Sequence, residues 1–290
     1  MLTGSIVALV TPFNEENEVD YPALERLLYY HLENQTDGIV VLGTTAEAES
    51  LSDEEKKQIV DFVCRHVGGK IKIMVGILSN VTEKVIAMSR LFEGMEIDSY
   101  LVITPYYNKS NTKGLLRHFT QIADACDHPI VVYHVPKRTG LVMDEETVRF
   151  LSYHPNIIGI KEASGNLAFQ AQVAAFCNEN FVLYGGDDLT MLASMALGAK
   201  GIISVIGNAF PKELKLIVDS FSKNIEISRS TYFGILSVTQ AIYLEVSPIL
   251  IKYLLYLMGF MLQNVRLPLA EGTLRSKHAV KTTYLTMLES

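Results

Sequence analysis

Short apolar runs rich in β-branched residues recur through the first two-thirds of the chain, and segments with helical periodicity lie between most of them. The runs begin roughly 20 to 35 residues apart, which is the spacing of repeated βα units. Alternating strands and helices predict a parallel sheet, and about eight repeats favour a closed (β/α)₈ barrel over an open doubly wound sheet. The predicted strands are residues 5–10, 38–42, 71–75, 99–103, 130–133, 157–160, 181–184 and 201–205.

Helices are predicted between these strands, and one of them carries a clear start signal. Ser52 and Glu55 have the spacing of a capping box ahead of a periodic segment. The strand pattern stops near Pro211, and proline breaks follow at Ser247-Pro248 and Leu267-Pro268. We therefore predict a barrel over residues 1–210 and a helical extension over 211–290 that packs on it as the same structural unit. The predicted helices include residues 21–35, 52–67, 82–93, 114–125 and 144–151.

Composition excludes several classes of protein. Apolar residues make up 49% of the 290 positions and charged residues 20%, so the chain has material for a core and is not disordered. The net charge of -7 and the lack of dense basic runs disfavour nucleic-acid binding. The most apolar segment, residues 248–262, is interrupted by Lys252 and is too short to predict a membrane span, so we expect a buried helix there.

The cysteines and histidines do not form a recognisable metal or disulfide pattern. Cys64, Cys126 and Cys177 are far apart and odd in number, which predicts reduced thiols and a cytoplasmic protein. The first residues have no basic region ahead of an apolar stretch, so we expect no secretion signal. The seven histidines show neither His-x-His nor His-Glu-x-x-His spacing. A metal-dependent barrel hydrolase is therefore disfavoured.

Lys161 is the residue most suggestive of chemistry. Barrel enzymes build their sites where the strands end, and Lys161 directly follows the apolar run 156–160. An amine in apolar surroundings has a lowered pKa and can attack a carbonyl as a neutral nucleophile. The alternative is a structural lysine that extends its ammonium group to solvent or pairs with Glu162.

Other strand ends carry polar side chains that fit the same chemistry. Tyr133 could move protons during carbonyl addition, although it could equally be a core tyrosine. Thr44 and Thr45 could hold a carboxylate or could cap a turn. Arg138 could bind a second carboxylate or could be a solvated loop residue.

Taken in order, the motifs around these residues resemble the dihydrodipicolinate synthase branch of the pyruvate-dependent class I aldolase family, which includes N-acetylneuraminate lyase. The resemblance covers most of the chain. The motifs are residues 2–13, Gly-Thr-Thr-Ala-Glu at 43–47, Ile-Thr-Pro-Tyr-Tyr-Asn at 103–108, Ile-Lys-Glu-Ala-Ser-Gly-Asn at 160–166 and Arg-Leu-Pro-Leu at 266–269.

This resemblance implies a Schiff base between Lys161 and pyruvate, without a metal or other cofactor. Thr44 and Thr45 would hold the pyruvate carboxylate, and Tyr133 would relay protons. Thr44 would connect Tyr133 to Tyr107, a side chain that in this family crosses from a neighbouring subunit. The resemblance therefore also implies a homodimer, or a homotetramer made of two dimers.

The second substrate implied is L-aspartate 4-semialdehyde, and the product is 4-hydroxy-tetrahydrodipicolinate of lysine and diaminopimelate biosynthesis. Arg138 would bind the aldehyde's carboxylate, and Gly186 and Ile203 would line the site with backbone groups. Two alternatives stay open. The first is a related aldolase acting on N-acetylneuraminate or a 2-keto-3-deoxygluconate type of sugar acid, and the second is a barrel that binds ligands without catalysis.

The chain departs from the family pattern at several places near this site. Ala46 stands where glycine is usual, and would cost about 1 kcal/mol or more if its φ were positive. His134 replaces asparagine, Lys137 adds a charge beside Arg138, and Ser247 replaces asparagine before Pro248. We expect these changes to affect the aldehyde partner more than the Schiff-base chemistry. Leu250 and Ile251 also stand where proline and valine are more frequent, ahead of Lys252.

Lysine-inhibited members of the family bind free lysine at the dimer interface through a glutamate, an asparagine and a tyrosine. Asn80 and Tyr106 match two of these residues, but Lys84 stands at the glutamate position. A lysine side chain would repel the amino groups of the ligand. We therefore predict weak or absent inhibition by lysine.

Overall fold

Eight parallel strands close into a barrel in the computed structural model, which describes residues 2–289. Each strand pairs with the next along the chain, and the first also pairs with the eighth. The predicted (β/α)₈ barrel is confirmed. The strands are β1 Gly4–Ala8, β2 Gly38–Val41, β3 Lys72–Ile77, β4 Ser99–Ile103, β5 Ile130–His134, β6 Ile157–Glu162, β7 Val182–Gly185 and β8 Gly201–Ser204.

Helices cover the outside of the barrel, so almost every strand residue is buried. This burial on both faces explains why the strands read as continuous apolar runs and not as alternating patterns. The helices are α1 Tyr21–Glu33, α2 Asp53–Val67, α3 Thr82–Ser89, α4 Thr112–Ala125, α5 Pro136–Thr139, α6 Glu145–Leu151, α7 Leu167–Ala174, α8 Met191–Ala196, α9 Pro211–Ser220, α10 Ile225–Ile242, α11 Ile249–Leu257 and α12 Leu274–Glu289. Short 3₁₀ turns occupy Thr44–Ala46, Ala48–Ser50, Arg90–Phe92, Asp188–Thr190 and Ile206–Asn208.

The predicted capping box is present at the start of α2. The Ser52 hydroxyl accepts from the Glu55 backbone N–H at 3.2 Å, and the Glu55 carboxylate accepts from the Ser52 N–H at 2.8 Å. These two bonds satisfy amide groups that the first turn of a helix leaves without partners.

The segment after residue 210 packs against the barrel. Helix α9 follows β8 and contacts β1, so it takes the place of the barrel's eighth helix. Val7 and Ile202 of the barrel share one apolar cluster with Leu214, Ile235 and Val280 of the later helices. On this packing we propose that the predicted segments 1–210 and 211–290 form one structural unit; residues 1 and 290 themselves lie outside the described residues.

The expected buried helix at 248–262 is observed as the shorter α11, with Leu250, Leu254 and Leu255 in the core. Across residues 2–289, none of the helices has the length and apolar character needed to cross a membrane.

A buried ion pair joins the C-terminal helices to the loop after β2. Lys252 of α11 is 0% exposed, and its Nζ lies 2.5 Å from Oε1 of Glu47. The same ammonium group donates to the Asn264 carbonyl at 2.9 Å and lies 4.1 Å from the centre of the Phe13 ring. Lys252 therefore connects three separate segments of the chain.

Arg266 completes this network on its outer side. Its backbone N–H donates to Oε2 of Glu47 at 2.8 Å, and its guanidinium group donates to both carboxylate oxygens of Glu55 at 2.6 and 2.9 Å. These bonds also lower the pKa of Glu55. The turn that carries Thr44 and Thr45 is thus held against α2 and the C-terminal segment.

Candidate active site

Lys161 and Tyr133 lie side by side in the barrel wall. Strands β5 and β6 pair in parallel with Tyr133 opposite Lys161, so the two side chains point to the same face. Lys161 Nζ lies 4.4 Å from the centre of the Tyr133 ring. The sequence predicted that Lys161 follows the end of its strand. In the structure the strand continues through Lys161 for one more pair, His134 with Glu162.

The surroundings of Lys161 favour its neutral form. Its residue is 6% exposed, and burial lowers the pKa of the amine below its ordinary value of 10.5. The charge of Arg138 lowers this pKa further, whereas Tyr133 and Asp188 act in the opposite direction. A neutral amine has the free electron pair that attack on a carbonyl carbon requires.

Glu162 does not pair with Lys161, because neighbouring residues of a strand point to opposite faces. Its carboxylate is buried and accepts from Nδ1 of His134 at 3.2 Å, from the Ser164 N–H at 2.8 Å and from the Gln170 amide at 2.7 Å. Burial alone would raise the pKa of Glu162, but these hydrogen bonds outweigh it and lower the pKa. The structural alternative for Lys161, an ion pair with Glu162, is therefore not what the structure contains.

His134 is a buried residue at the end of β5 and not a loop residue. Its Nε2 accepts from the Met143 backbone N–H at 3.2 Å, which places the proton of the neutral ring on Nδ1, facing Glu162. The replacement of the usual asparagine therefore adds to a buried network beneath the site. Sequence reasoning did not predict this network, since its members come from four separate segments.

Gly186 lies directly against the lysine side chain. A Cβ atom placed at this glycine would come within 2.9 Å of Cγ and Cε of Lys161 and of Cβ of Ala163. Its backbone N–H donates to the Glu162 carbonyl at 2.8 Å. Any side chain at residue 186 would displace Lys161, so the contact explains why glycine occupies this position.

Thr44 and Thr45 follow β2 in the 3₁₀ turn Thr44–Ala46. Within residues 2–289, the buried Oγ1 of Thr44 has no hydrogen-bond partner. A buried hydroxyl without a partner is costly, and a bound carboxylate would satisfy it. The positive φ angles near this turn belong to Leu42 and Glu47, at 57° and 55°, so Ala46 does not carry the backbone cost considered above.

Arg138 lies in α5 at the mouth of the barrel, with its side chain exposed. Its Nη2 donates to the Ser247 carbonyl at 2.9 Å, which orients the guanidinium group. Lys137 beside it is exposed and lies 3.4 Å from the carboxylate of Asp187. The mouth therefore presents two cations and one nearby acid.

Tyr107 and Ile203 occupy opposite extremes of exposure. Ile203 lies in β8 beside Ile6 and is buried. Tyr107 follows β4, is 91% exposed and has a φ of 64°, an uncommon angle for a residue with a side chain. Within this single chain, the structure does not bring Tyr107 into the site with Lys161 and Tyr133.

A second buried acid, Asp188, lies beyond Gly186 and was not singled out from the sequence. Its carboxylate accepts from Oη of Tyr243 at 2.7 Å, although the two residues are 55 positions apart. Among the described residues, no group of three or more His, Cys, Asp or Glu side chains could hold a metal ion.

A model of the dihydrodipicolinate synthetase family matches residues 1–286. The chain belongs to this family. A 4-hydroxy-tetrahydrodipicolinate synthase of Caldicellulosiruptor bescii is 39% identical over 282 residues, which cover 97% of this chain and 95% of the relative. The enzyme of the same name from Pelobacter propionicus is 40% identical over 271 residues, covering 93% of each chain.

The structure of this chain also matches solved structures of the family. The crystal structure of a chloride-inhibited dihydrodipicolinate synthase from Acinetobacter baumannii, complexed with pyruvate, superposes with a TM-score of 0.96. It is 33% identical in sequence and covers 99% of both chains. The expected resemblance to the dihydrodipicolinate synthase branch is therefore confirmed over nearly the whole chain.

Proposed function

We propose that this protein is a lyase that condenses pyruvate with L-aspartate 4-semialdehyde to 4-hydroxy-tetrahydrodipicolinate through a Schiff base at Lys161. The observation that carries the proposal is the buried amine of Lys161 beside Tyr133, at the carboxyl ends of the barrel strands. The chain that contains this lysine is about 40% identical, over most of its length, to enzymes called 4-hydroxy-tetrahydrodipicolinate synthase. The reaction needs no metal or other cofactor.

In this reaction the neutral amine of Lys161 adds to C2 of pyruvate, and the carbinolamine loses water to give an iminium ion. Loss of a C3 proton then gives an enamine, which attacks the aldehyde carbon of the second substrate and regenerates an iminium. The amino group of that substrate then displaces the Lys161 amine from C2, which closes the product ring and frees the enzyme. Tyr133, whose ring centre lies 4.4 Å from Lys161 Nζ, would relay protons during these steps. The unpartnered Thr44 hydroxyl and the neighbouring Thr45 would bind the pyruvate carboxylate.

At the mouth, Arg138 would bind the carboxylate of the aldehyde substrate, since an arginine can offer two parallel N–H donors. Gly186 and Ile203 would line the pocket, and the absence of a side chain at Gly186 keeps the path along Lys161 open.

We also propose that the active form is a homodimer or a homotetramer of two dimers. The exposed aromatic ring of Tyr107 and its unusual backbone angle are explained if the side chain enters the site of a neighbouring subunit, where it would meet Thr44. A cytoplasmic location fits the three unpaired cysteines Cys64, Cys126 and Cys177.

The first test is to trap the Schiff base. The purified protein is treated with pyruvate and borohydride, and its mass and peptides are then analysed. We expect one pyruvate-derived adduct per chain, on the peptide that contains Lys161. The absence of an adduct from folded protein would remove the proposed mechanism.

The second part of the test separates the aldehyde partners. Turnover is compared for pyruvate with aspartate semialdehyde and for cleavage of N-acetylneuraminate and 2-keto-3-deoxygluconate. We expect the semialdehyde to be preferred by kcat/KM. A trapped adduct together with preferred cleavage of a sugar acid would instead support the related aldolase.

We propose further that free lysine regulates this enzyme weakly or not at all. Asn80 and Tyr106 contact each other, with the Asn80 side-chain amide donating to the Tyr106 carbonyl at 3.1 Å. The positive charge of Lys84 acts on the nearby carboxylate of Glu49, and Tyr106 hydrogen-bonds to the same carboxylate. Glu49 thus supplies an acid near Asn80 and Tyr106, but the positive charge of Lys84 offsets the attraction that Glu49 would exert on the amino groups of a bound lysine.

The prediction is that lysine at about 1 mM, the upper end of ordinary substrate KM values, leaves more than half of the activity. The variant Lys84→Glu should increase sensitivity to lysine by about tenfold or more, because it replaces repulsion by attraction. Lys57→Glu on the exposed face of α2 is the matched charge reversal and should have no such effect. Half-inhibition of the unmodified enzyme below about 1 mM would contradict the prediction.

A further inference from the structure

The carboxylate of Asp188 is buried and hydrogen-bonded, but among the described residues it forms no ion pair. The residue is 1% exposed, and its Oδ2 accepts from the backbone N–H groups of Val205 and Ile206 at 3.0 and 2.9 Å and from Oη of Tyr243 at 2.7 Å. The Ser204 side chain also hydrogen-bonds to this carboxylate. A buried carboxylate that ionises is still costly unless a positive charge lies nearby.

Lys161 is the group placed to supply that charge. Asp188 begins the 3₁₀ turn two residues after Gly186, whose backbone lies against the Lys161 side chain. A charge on Asp188 raises the pKa of Lys161, whereas the charge of Arg138 lowers it. The lysine and the acid therefore share one buried, electrostatically coupled region.

Other ionisable groups face the same region but cannot take this role. Tyr243 and Tyr232 of α10 and Tyr133 of β5 are phenols, which do not carry a positive charge. Burial and the Asp188 charge raise the pKa of Tyr243 and Tyr232. Asp187 is an acid on the mouth side, where it pairs with Lys137. The described neighbours thus leave Lys161 as the partner for Asp188.

We propose that Asp188 is the counter-ion of the iminium that Lys161 forms with pyruvate, an inference that rests on the proposed Schiff-base function. Burial favours the neutral form of the resting amine, whereas the iminium carries a full positive charge in the same buried surroundings. The charges balance, because a neutral amine, a ketone and a neutral carboxyl group become an iminium, water and a carboxylate. Burial raises the pKa of Asp188, which fits an acid that is neutral before the iminium forms.

The experiment measures how pyruvate concentration determines the trapped fraction. Wild-type protein and Asp188→Asn are titrated with pyruvate, reduced with borohydride at equilibrium, and quantified by intact mass. We expect the half-saturating pyruvate concentration to rise by about 10- to 100-fold in Asp188→Asn, since a stabilising charge next to a buried cation is lost.

A matched variant separates this effect from a loss of structure. Asp98→Asn removes a carboxylate that also accepts from a backbone N–H, that of Ile73 at 2.8 Å, but at the opposite end of the barrel. Its half-saturating pyruvate concentration should equal that of the wild type. The fraction of folded protein is measured for each variant by circular dichroism, so that trapping is expressed per folded chain.

Tyr243→Phe keeps the carboxylate and tests the same idea if Asp188→Asn does not fold. The tyrosine hydroxyl lowers the pKa of Asp188, so its removal favours the neutral acid and weakens the counter-ion. We expect a rise of several-fold in half-saturating pyruvate. Wild-type values in folded Asp188→Asn, or in Tyr243→Phe if the former is unfolded, would overturn the inference. Failure of wild-type trapping would instead disprove the Schiff-base function itself.

Discussion

Lys161→Met is expected to reduce condensation activity by on the order of 10⁵-fold and to abolish the borohydride-trapped pyruvate adduct. Methionine has a similar length and fits an apolar pocket, but it has no amine to form the iminium. Because burial disfavours the charged form of Lys161, removing the amine should not lower the thermal midpoint. Activity, trapping and thermal unfolding are measured on the same preparation.

Lys72→Met is the matched control for this experiment. Lys72 begins β3 at the far end of the barrel, where it pairs with Asp98 and has a largely exposed side chain. Its replacement should preserve both activity and the adduct. An adduct that persists in Lys161→Met would assign the nucleophile to another lysine, and a large fall in its thermal midpoint would show that Lys161 contributes to the fold.

Lys252→Met is expected to lower the free energy of unfolding by about 3 to 5 kcal/mol. The substitution leaves the Glu47 carboxylate buried without its cation, and it also removes the bond to the Asn264 carbonyl. Burial lowers the pKa of Lys252 to about 8, so this lysine is still mostly charged at neutral pH. Denaturant unfolding at pH 7 and at one protein concentration measures the difference.

Lys56→Met shows what the loss of a more exposed ion pair does. Lys56 Nζ lies 3.4 Å from Asp53, whose side chain is 70% exposed, and such pairs contribute about 1 kcal/mol or less. The double variant Glu47→Gln with Lys252→Met should recover part of the lost stability, because no uncompensated buried charge remains. A loss below about 1 kcal/mol in Lys252→Met would mean that Glu47 finds water or another donor.

The same ion pair connects stability to the site. Glu47 ends the turn that carries Thr44 and Thr45, and Lys252 and Arg266 hold that turn from the C-terminal segment. The C-terminal helices therefore do more than cover the barrel, since they fix the position of the proposed carboxylate-binding residues.

The linear pattern of residues was sufficient to predict the barrel. All eight predicted strands are present, because strands buried on both faces must be apolar throughout, and that requirement is visible in a single segment. The position of Lys161 at the carboxyl end of such a run, within motifs resembling a known family, also predicted a site there, and the structure places this lysine buried beside Tyr133. The observed ends of some strands, such as β6, differ from the predicted ends by one or two residues, because a strand ends where its hydrogen bonds to the neighbouring strand end.

Only the tertiary structure showed which polar groups are buried together. The pairs Glu47 with Lys252, His134 with Glu162 and Asp188 with Tyr243 join residues between 28 and 205 positions apart. No local pattern marks such a pair, since each residue alone is ordinary in its segment. The sequence by itself determined the order of the strands and helices and the proposal that Lys161 is the nucleophile. The closed barrel determined which charged groups lie together away from water, because that depends on distance in space.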